Sequence, residues 1–133
     1  MSEAPNAAGA GPESAGTAAP ARPPALSILL LVFMVANAAQ LAAGLLRRRQ
    51  MFLDIPRLTP LAYAAWLAGP VAGIAGAIGL WAFRRWGLIA IALGWAMVAA
   101  VDLWLGATPH AIIATGMVWL IILFSRSIRG ALR

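Results

Sequence analysis

The side chains best able to do chemistry lie at the joins between long apolar segments. Asp102 and His110 lie on either side of one join, and a basic segment with the sequence RRRQMFLDIPR, residues 47–57, fills another on the same membrane face. Its arginines are Arg47, Arg48, Arg49 and Arg57. Because an acid near hydrocarbon is stabilised by an opposite charge, we expect an ion pair between Asp102 and one of these arginines. Three interpretations stay open for this cluster: a structural tether, a site for an anionic ligand or lipid headgroup, and proton or ion handling.

Asn37 and Gln40 form a second polar pair, inside the first apolar segment. Their i, i+3 spacing places both amides on one face of a helix, near the middle of the membrane. Interhelical hydrogen bonds of this kind average ~0.6 kcal/mol. We expect the pair to hold helices together, and a polar lining for a small-solute path is the alternative.

The composition excludes several classes of function. The chain has no cysteine, which excludes disulfides, thiol redox chemistry, thiolate metal sites and cysteine nucleophiles. One histidine and two membrane-proximal acids are too few for a conventional zinc or haem site, so no cofactor is expected. No nucleophile can be identified beside the histidine, and the protein is not expected to be an enzyme.

Four apolar segments must position these residues. Hydrophobic residues make up 62% of the 133 residues and charged residues only 11%, a balance typical of a membrane bundle. A helix needs ~20 mostly apolar residues to cross the hydrocarbon core. We therefore predict an all-α fold, a four-transmembrane-helix bundle made of two helical hairpins, with spans at about 25–46, 59–83, 86–106 and 108–125.

Two short segments flank this transmembrane domain, which we place at residues 25–128. Residues 1–24 are rich in Ala, Pro and Gly and cannot bury enough apolar surface to order themselves, so they are predicted to be disordered. Residues 129–133 form a basic C-terminal end. A cleaved signal peptide is the alternative for residues 26–38, but the apolar run continues to Leu46, which favours an intact first span.

Small residues predict how the helices begin and pack. Thr59-Pro60 and Thr108-Pro109 predict helix N-termini with threonine caps. Glycines that share nearly one face of the second span let backbones approach closely in a membrane; they are Gly69, Gly73, Gly76 and Gly79. We expect this face to pack within the bundle, with a homodimer face or a ligand crevice as alternatives. The expected partner face in the third span consists of Ala92, Ala96 and Ala100.

Charge outside the spans predicts location and orientation. Ten arginines and four acids give a net charge of +6. Because short cytoplasmic loops carry an excess of basic residues, and six arginines lie on the side of the termini against four on the other, both termini are predicted to be cytoplasmic. Arginine clusters beside apolar spans suit anionic lipid headgroups and not nucleic acid. Trp66 and Trp104 fit an interfacial aromatic belt.

Four stretches of the sequence carry a resemblance to known proteins. They are Arg22–Leu26, Gly79–Trp81, Arg84–Gly87 and Ser125–Leu132. In these the chain resembles small four-helix integral membrane proteins of unknown function from actinobacteria and other GC-rich bacteria. The resemblance implies a bacterial, multi-pass protein of the cytoplasmic (plasma) membrane and implies no functional residues.

Three functions are compatible with these features. The leading hypothesis is a non-enzymatic accessory or scaffold subunit, whose partner is another membrane protein or a second copy of the chain. The alternative is a small-solute or ion permease or channel that uses Asn37, Gln40, Asp102 and the nearby arginines. The third is binding of anionic lipid headgroups through residues 47–57.

Overall fold

The computed structural model describes residues 22–132, which are almost entirely helical. The helices are α1 (Pro24–Leu46), α2 (Arg48–Asp54), α3 (Pro60–Trp81), α4 (Trp86–Leu105), α5 (Thr108–Ser125) and a 3-10 helix (Arg126–Ala131). Four of them are long and apolar enough to cross a membrane. The predicted all-α, four-span fold is therefore confirmed. The predicted disorder concerns residues 1–24, of which residues 1–21 lie outside the described part of the chain, and Pro24 already begins α1.

Successive spans run in opposite directions, which defines two ends of the bundle. The tail face holds the start of α1, the α3–α4 turn and the 3-10 helix. The loop face holds residues 47–57, including α2, and the α4–α5 turn. Each span must hydrogen-bond its own backbone because hydrocarbon offers no partners, and this requirement explains why the chain breaks its helices only at these two faces.

Local sequence signals explain most helix ends. The Thr59 hydroxyl accepts a hydrogen bond from the Ala62 amide at 3.1 Å, so the predicted cap of α3 is confirmed. The predicted Thr108 cap is wrong, because Thr108 is already helical and Ala107 precedes the first turn. α3 ends at Trp81 rather than at residue 83, since Phe83 adopts a left-handed conformation with φ 55° that a helix cannot contain.

Close packing of α3 on α4 forms the centre of the bundle. A Cβ added to Gly87 on α4 would lie 2.4 Å from the Leu80 nitrogen and 2.5 Å from the Gly76 oxygen, both α3 backbone atoms. A Cβ on Gly69 would lie 2.8 Å from the Gly94 oxygen. The two backbones are thus closer than any side chain would allow, which is how apolar helices gain dispersion energy in lipid.

The glycine face of α3 divides between two neighbours. Gly69, Gly76 and Gly79 lie against α4, whereas Gly73 lies against Asn37 and Phe33 of α1. The alanine row predicted to meet them lies elsewhere: Ala96 and Ala100 are exposed. The α4 residues that contact this face are instead Trp86, Gly87, Ile91, Gly94 and Val98. Glycine on both helices allows a closer approach than a glycine–alanine pair.

α1 and α5 pack beside the central hairpin and also contact each other. α1 packs mainly on α3, and α5 packs mainly on α4. Toward the tail face all four spans close around fully buried apolar side chains. These are Leu26, Leu30, Ala77, Leu80, Ile91 and Ile121, each 0% exposed. Ile128 and Leu132, at the C-terminal end of the described chain, also belong to this core.

We expect Gly87→Ala to destabilise the bundle strongly because the new methyl group meets backbone atoms, which cannot rotate away. The expected loss in free energy of unfolding is at least about 2 kcal/mol. The measurement is unfolding by sodium dodecyl sulfate in mixed micelles. Gly116→Ala is the matched control, since an added Cβ there meets nothing within 4 Å. It should be neutral or stabilise α5 by up to about 1 kcal/mol. Equal effects of the two substitutions would contradict the packing described.

Candidate functional site

A buried carboxylate forms the centre of the polar site. The Asp102 side chain is 2% exposed. His110 donates from Nδ1 to Asp102 Oδ2 at 2.5 Å, and Trp66 donates from Nε1 to Asp102 Oδ1 at 3.3 Å. Both carboxylate oxygens are therefore engaged. A carboxylate accepts only, so ionised Asp102 requires the imidazole proton on Nδ1 and selects that tautomer of His110.

The α4–α5 turn brings the acid and the histidine together. Asp102 lies in the last turn of α4, and Gly106 follows with φ 80°, a conformation that glycine adopts without strain. The Ala107 amide donates to the Asp102 carbonyl at 2.7 Å and closes the turn. His110 then falls in the first turn of α5, on the same side as the carboxylate. This short join brings two residues of different spans within hydrogen-bond distance.

The arginines predicted to pair with Asp102 lie elsewhere. Among residues 22–132, no arginine forms an ion pair with Asp102, whose acid–base partner is His110. Arg47, Arg48 and Arg49 are exposed at the junction of α1 and α2. The Arg48 guanidinium lies over the Tyr63 ring at 5.9 Å, and Arg57 lines a separate surface pocket with Asp54. The expected ion pair is therefore wrong: α2 directs its apolar side toward Asp102 and its charged side outward.

His110 lines two cavities. The first, which we call the vestibule, has a volume of about 360 Å³ and lies at the loop face. It is lined by Met51, Ile55, Leu58, Trp66, Asp102, Leu105, Gly106, Ala107 and His110. The second, the crevice, has a volume of about 120 Å³ and lies between the four spans. Its polar lining residues are Asn37, Gln40 and His110, and residues of α1, α3, α4 and α5 complete it.

The two amides of α1 both line the crevice but differ in their hydrogen bonds. Asn37 donates from Nδ2 to the Phe33 carbonyl of its own helix at 2.7 Å. The Gln40 Nε2 group is buried and has no hydrogen-bond partner among the described residues. A buried amide donor without a partner costs free energy, so this nitrogen requires an explanation. Within residues 22–132, neither amide forms the predicted interhelical hydrogen bond with another span.

Sequence reasoning missed three polar partners. Trp66, predicted as an interfacial anchor, also donates to Asp102. Trp95 donates from Nε1 to the Thr115 hydroxyl at 3.1 Å, which links α4 to α5 inside the bundle. Thr115 in turn donates to the Ala111 carbonyl at 2.6 Å. Buried tryptophan N–H groups usually donate to an acceptor, so the sequence could have indicated polar partners for Trp66 and Trp95.

Residues 22–132 contain no group of three acidic or histidine side chains close enough to hold a metal ion. The site offers hydrogen bonding and one acid–base pair. In comparisons with known proteins, neither a family model, nor a curated protein, nor a solved structure matches the chain. Any proposal about the function of this protein therefore rests on the geometry of the bundle.

We expect Asp102 and His110 to be energetically coupled. A double-mutant cycle with Asp102→Asn and His110→Ala should give an interaction free energy of about 0.5–3 kcal/mol, as for contacting residues. The measurement is detergent-micelle unfolding of the four proteins. In the control cycle Thr108→Ala replaces His110→Ala, since Thr108 is exposed on the same turn of α5. That cycle should be additive within ~0.5 kcal/mol. Additivity in both cycles would mean that the pair does not interact in solution.

Proposed function

We propose that this multi-pass membrane protein is a non-enzymatic accessory or scaffold subunit of the cytoplasmic membrane, with both termini in the cytoplasm. The observation that carries the proposal is the poor coverage of α1. Only 17% of its most apolar window is buried inside the bundle, against 28–33% for the other three spans. α1 therefore presents more of its surface to its surroundings than any other span.

The exposed surface of α1 changes character along the helix. Near the tail face it carries large side chains such as Ile28, Leu31 and Val35, which suit contact with lipid chains. Toward the loop face four exposed residues are small, Ala38, Ala39, Ala42 and Ala43, before the exposed Leu45 and Leu46 end the helix. Small residues allow another helix to approach closely, and in a membrane such packing, with no hydrophobic force between helices, drives association. A helix of another membrane protein or of a second copy fits this half of α1.

We expect bulky substitutions on this small surface to release the partner without unfolding the bundle. The test variant carries Ala38→Leu and Ala42→Leu, and the control carries Val35→Leu on the same exposed side. Tagged full-length protein is purified in mild detergent, and partner stoichiometry is measured by quantitative mass spectrometry. The partner should be stoichiometric with the unchanged protein and the control, and should fall at least about tenfold with the double variant, since each lost close contact costs on the order of 1 kcal/mol.

A monomer that carries no stoichiometric protein in any variant would contradict the accessory proposal. Self-association that the double variant abolishes would identify the partner as a second copy.

Binding of anionic lipid is a second candidate, supported by the placement of α2. Phe52 packs on Tyr63 with ring centroids 5.2 Å apart, which anchors α2 to the start of α3. On the other side Arg47, Arg48 and Arg49 are exposed, and the neighbouring Leu53 side chain is 72% exposed. Exposed arginines beside an exposed leucine match a short helix lying at the headgroup boundary.

Neutralising these arginines should reduce retention of anionic lipid. Each basic residue near the surface contributes ~1 kcal/mol, so Arg47→Gln, Arg48→Gln and Arg49→Gln together should lower phosphatidylglycerol retention at least about tenfold. Native mass spectrometry at low and high salt measures it. The control neutralises three exposed arginines of the tail face, Arg84, Arg126 and Arg129. Equal retention in the unchanged protein and the loop-face variant would exclude this candidate.

A further inference from the structure

We infer that the crevice and vestibule form one blind binding pocket, which opens at the loop face and accepts a small neutral molecule through an oxygen that accepts a hydrogen bond from Gln40. The inference goes beyond the accessory role and does not depend on it. It rests on three observations: two cavities that share a residue, a closed end, and a buried donor with no partner.

The pocket opens at the loop face because the vestibule lies there. Its wall consists of α2 residues such as Met51, the α4–α5 turn and the Asp102–His110 pair. His110 lines both the vestibule and the crevice, and its side chain is 44% exposed. Its imidazole therefore stands at the passage between the two cavities, held in place through Nδ1 by the buried carboxylate.

The pocket ends inside the bundle because the tail-face core closes it. Phe33 and Val118 line the inner end of the crevice and also belong to the apolar core. Beyond them lie fully buried side chains, among them Leu30, Leu80 and Ile121. At the tail face itself, Arg22 stacks between the Trp81 and Phe83 rings at 4.6 and 4.7 Å. A continuous path through the bundle would have to cross this packed core.

The chemistry of the lining defines the class of ligand. Gln40 lines the crevice, and its buried Nε2 group has no partner among residues 22–132, so a rotation of this side chain would turn the donor toward an acceptor oxygen in the crevice. The crevice wall is mostly apolar and contains no acidic or arginine side chain, so an ion there would lack a counter-charge. The volume of about 120 Å³ approaches that of a protein cavity that binds benzene. The ligand class is a neutral molecule of about six heavy atoms with a carbonyl or similar oxygen.

Cysteine accessibility tests the shape of the pocket, because the chain contains no native cysteine. Single cysteines replace Ala107 in the vestibule, Ala114 in the crevice, Ala77 in the core, Ala39 on the outer side of α1, and Ser127 at the tail face. The full-length protein is expressed in cells, and spheroplasts and inverted membrane vesicles are treated with methyl methanethiosulfonate, a neutral reagent of about six heavy atoms that matches the crevice. Glutathione, which does not cross membranes, is present in the enclosed compartment to consume any reagent that crosses. The reaction at each cysteine is measured by mass spectrometry.

Ala114→Cys should react from the same side as Ala107→Cys and not from the side of Ser127→Cys. Ala77→Cys and Ala39→Cys should stay unmodified from both sides. Reaction of Ala114→Cys from both sides would show a continuous path through the bundle, as a permease requires, and not a blind pocket. Failure of Ala114→Cys to react, with Ala107→Cys reactive, would show that the crevice does not open to the vestibule. Either result overturns the inference and leaves the partner test of the accessory role unaffected.

Protection of Ala114→Cys tests the ligand class. Cyclohexanone should slow its modification more than methylenecyclohexane, which has the same shape without the oxygen. Gln40→Leu should reduce protection by cyclohexanone roughly two- to tenfold, the range for one lost hydrogen bond, and leave protection by methylenecyclohexane unchanged. Gln50→Leu is the control, since Gln50 is exposed on α2. Equal protection by both compounds, or an equal effect of both glutamine substitutions, would refute the role of Gln40.

Discussion

The rest of the structure depends on the backbone contact between α3 and α4. Gly87 lies so close to the backbone at Gly76 and Leu80 that no side chain fits between the helices. Lipid chains are as apolar as the helices, so burial of apolar surface does not favour association, and dispersion at short range must supply the energy. This contact draws on glycines of both spans. It leaves α1 to pack on α3 and α5 to pack on α4, and α1 and α5 also contact each other beside the hairpin.

The polar crevice follows from that arrangement. Two outer helices that each pack on a different inner helix enclose space between them wherever side chains are too small or too polar to fill it. Toward the tail face, Leu30 and Ile121 fill this space completely. Toward the loop face the same space is bordered by Asn37, Gln40 and His110. Apolar side chains fill the tail-face half of this space, whereas polar groups border the loop-face half. The bundle is therefore asymmetric along the membrane normal, although the spans are similar in length.

The sequence predicted the spans because the bilayer imposes their length and apolar character on local sequence. It also placed Asp102, His110 and residues 47–57 on one face, since the direction of each span follows from its order. It failed on the partner of Asp102. Side-chain pairing at a helix join depends on the turn, here the left-handed Gly106, and on which side of α2 faces inward. Neither is encoded in the periodicity of an apolar segment.

The position of glycine was predictable, but its partners were not. Four glycines on one side of α3 indicated close packing, yet one of them, Gly73, faces the amide of Asn37 on α1, while its backbone also borders Gly94 of α4. Helix faces divide between neighbours according to crossing geometry, which composition does not specify.

The two membrane faces use arginine in opposite ways, and this bears on where a ligand can enter. At the tail face Arg22 lies over two aromatic rings and donates to the Trp81 carbonyl, while Arg85 donates to the Leu132 carbonyl at 3.2 Å. These guanidinium groups tie chain segments across the end of the core. At the loop face Arg47 and Arg49 are exposed, and none of the described arginines lines the vestibule. Arginine therefore closes the bundle at the tail face and surrounds an opening at the loop face. The net charge of each face does not show this difference, whereas the contacts of each guanidinium group do.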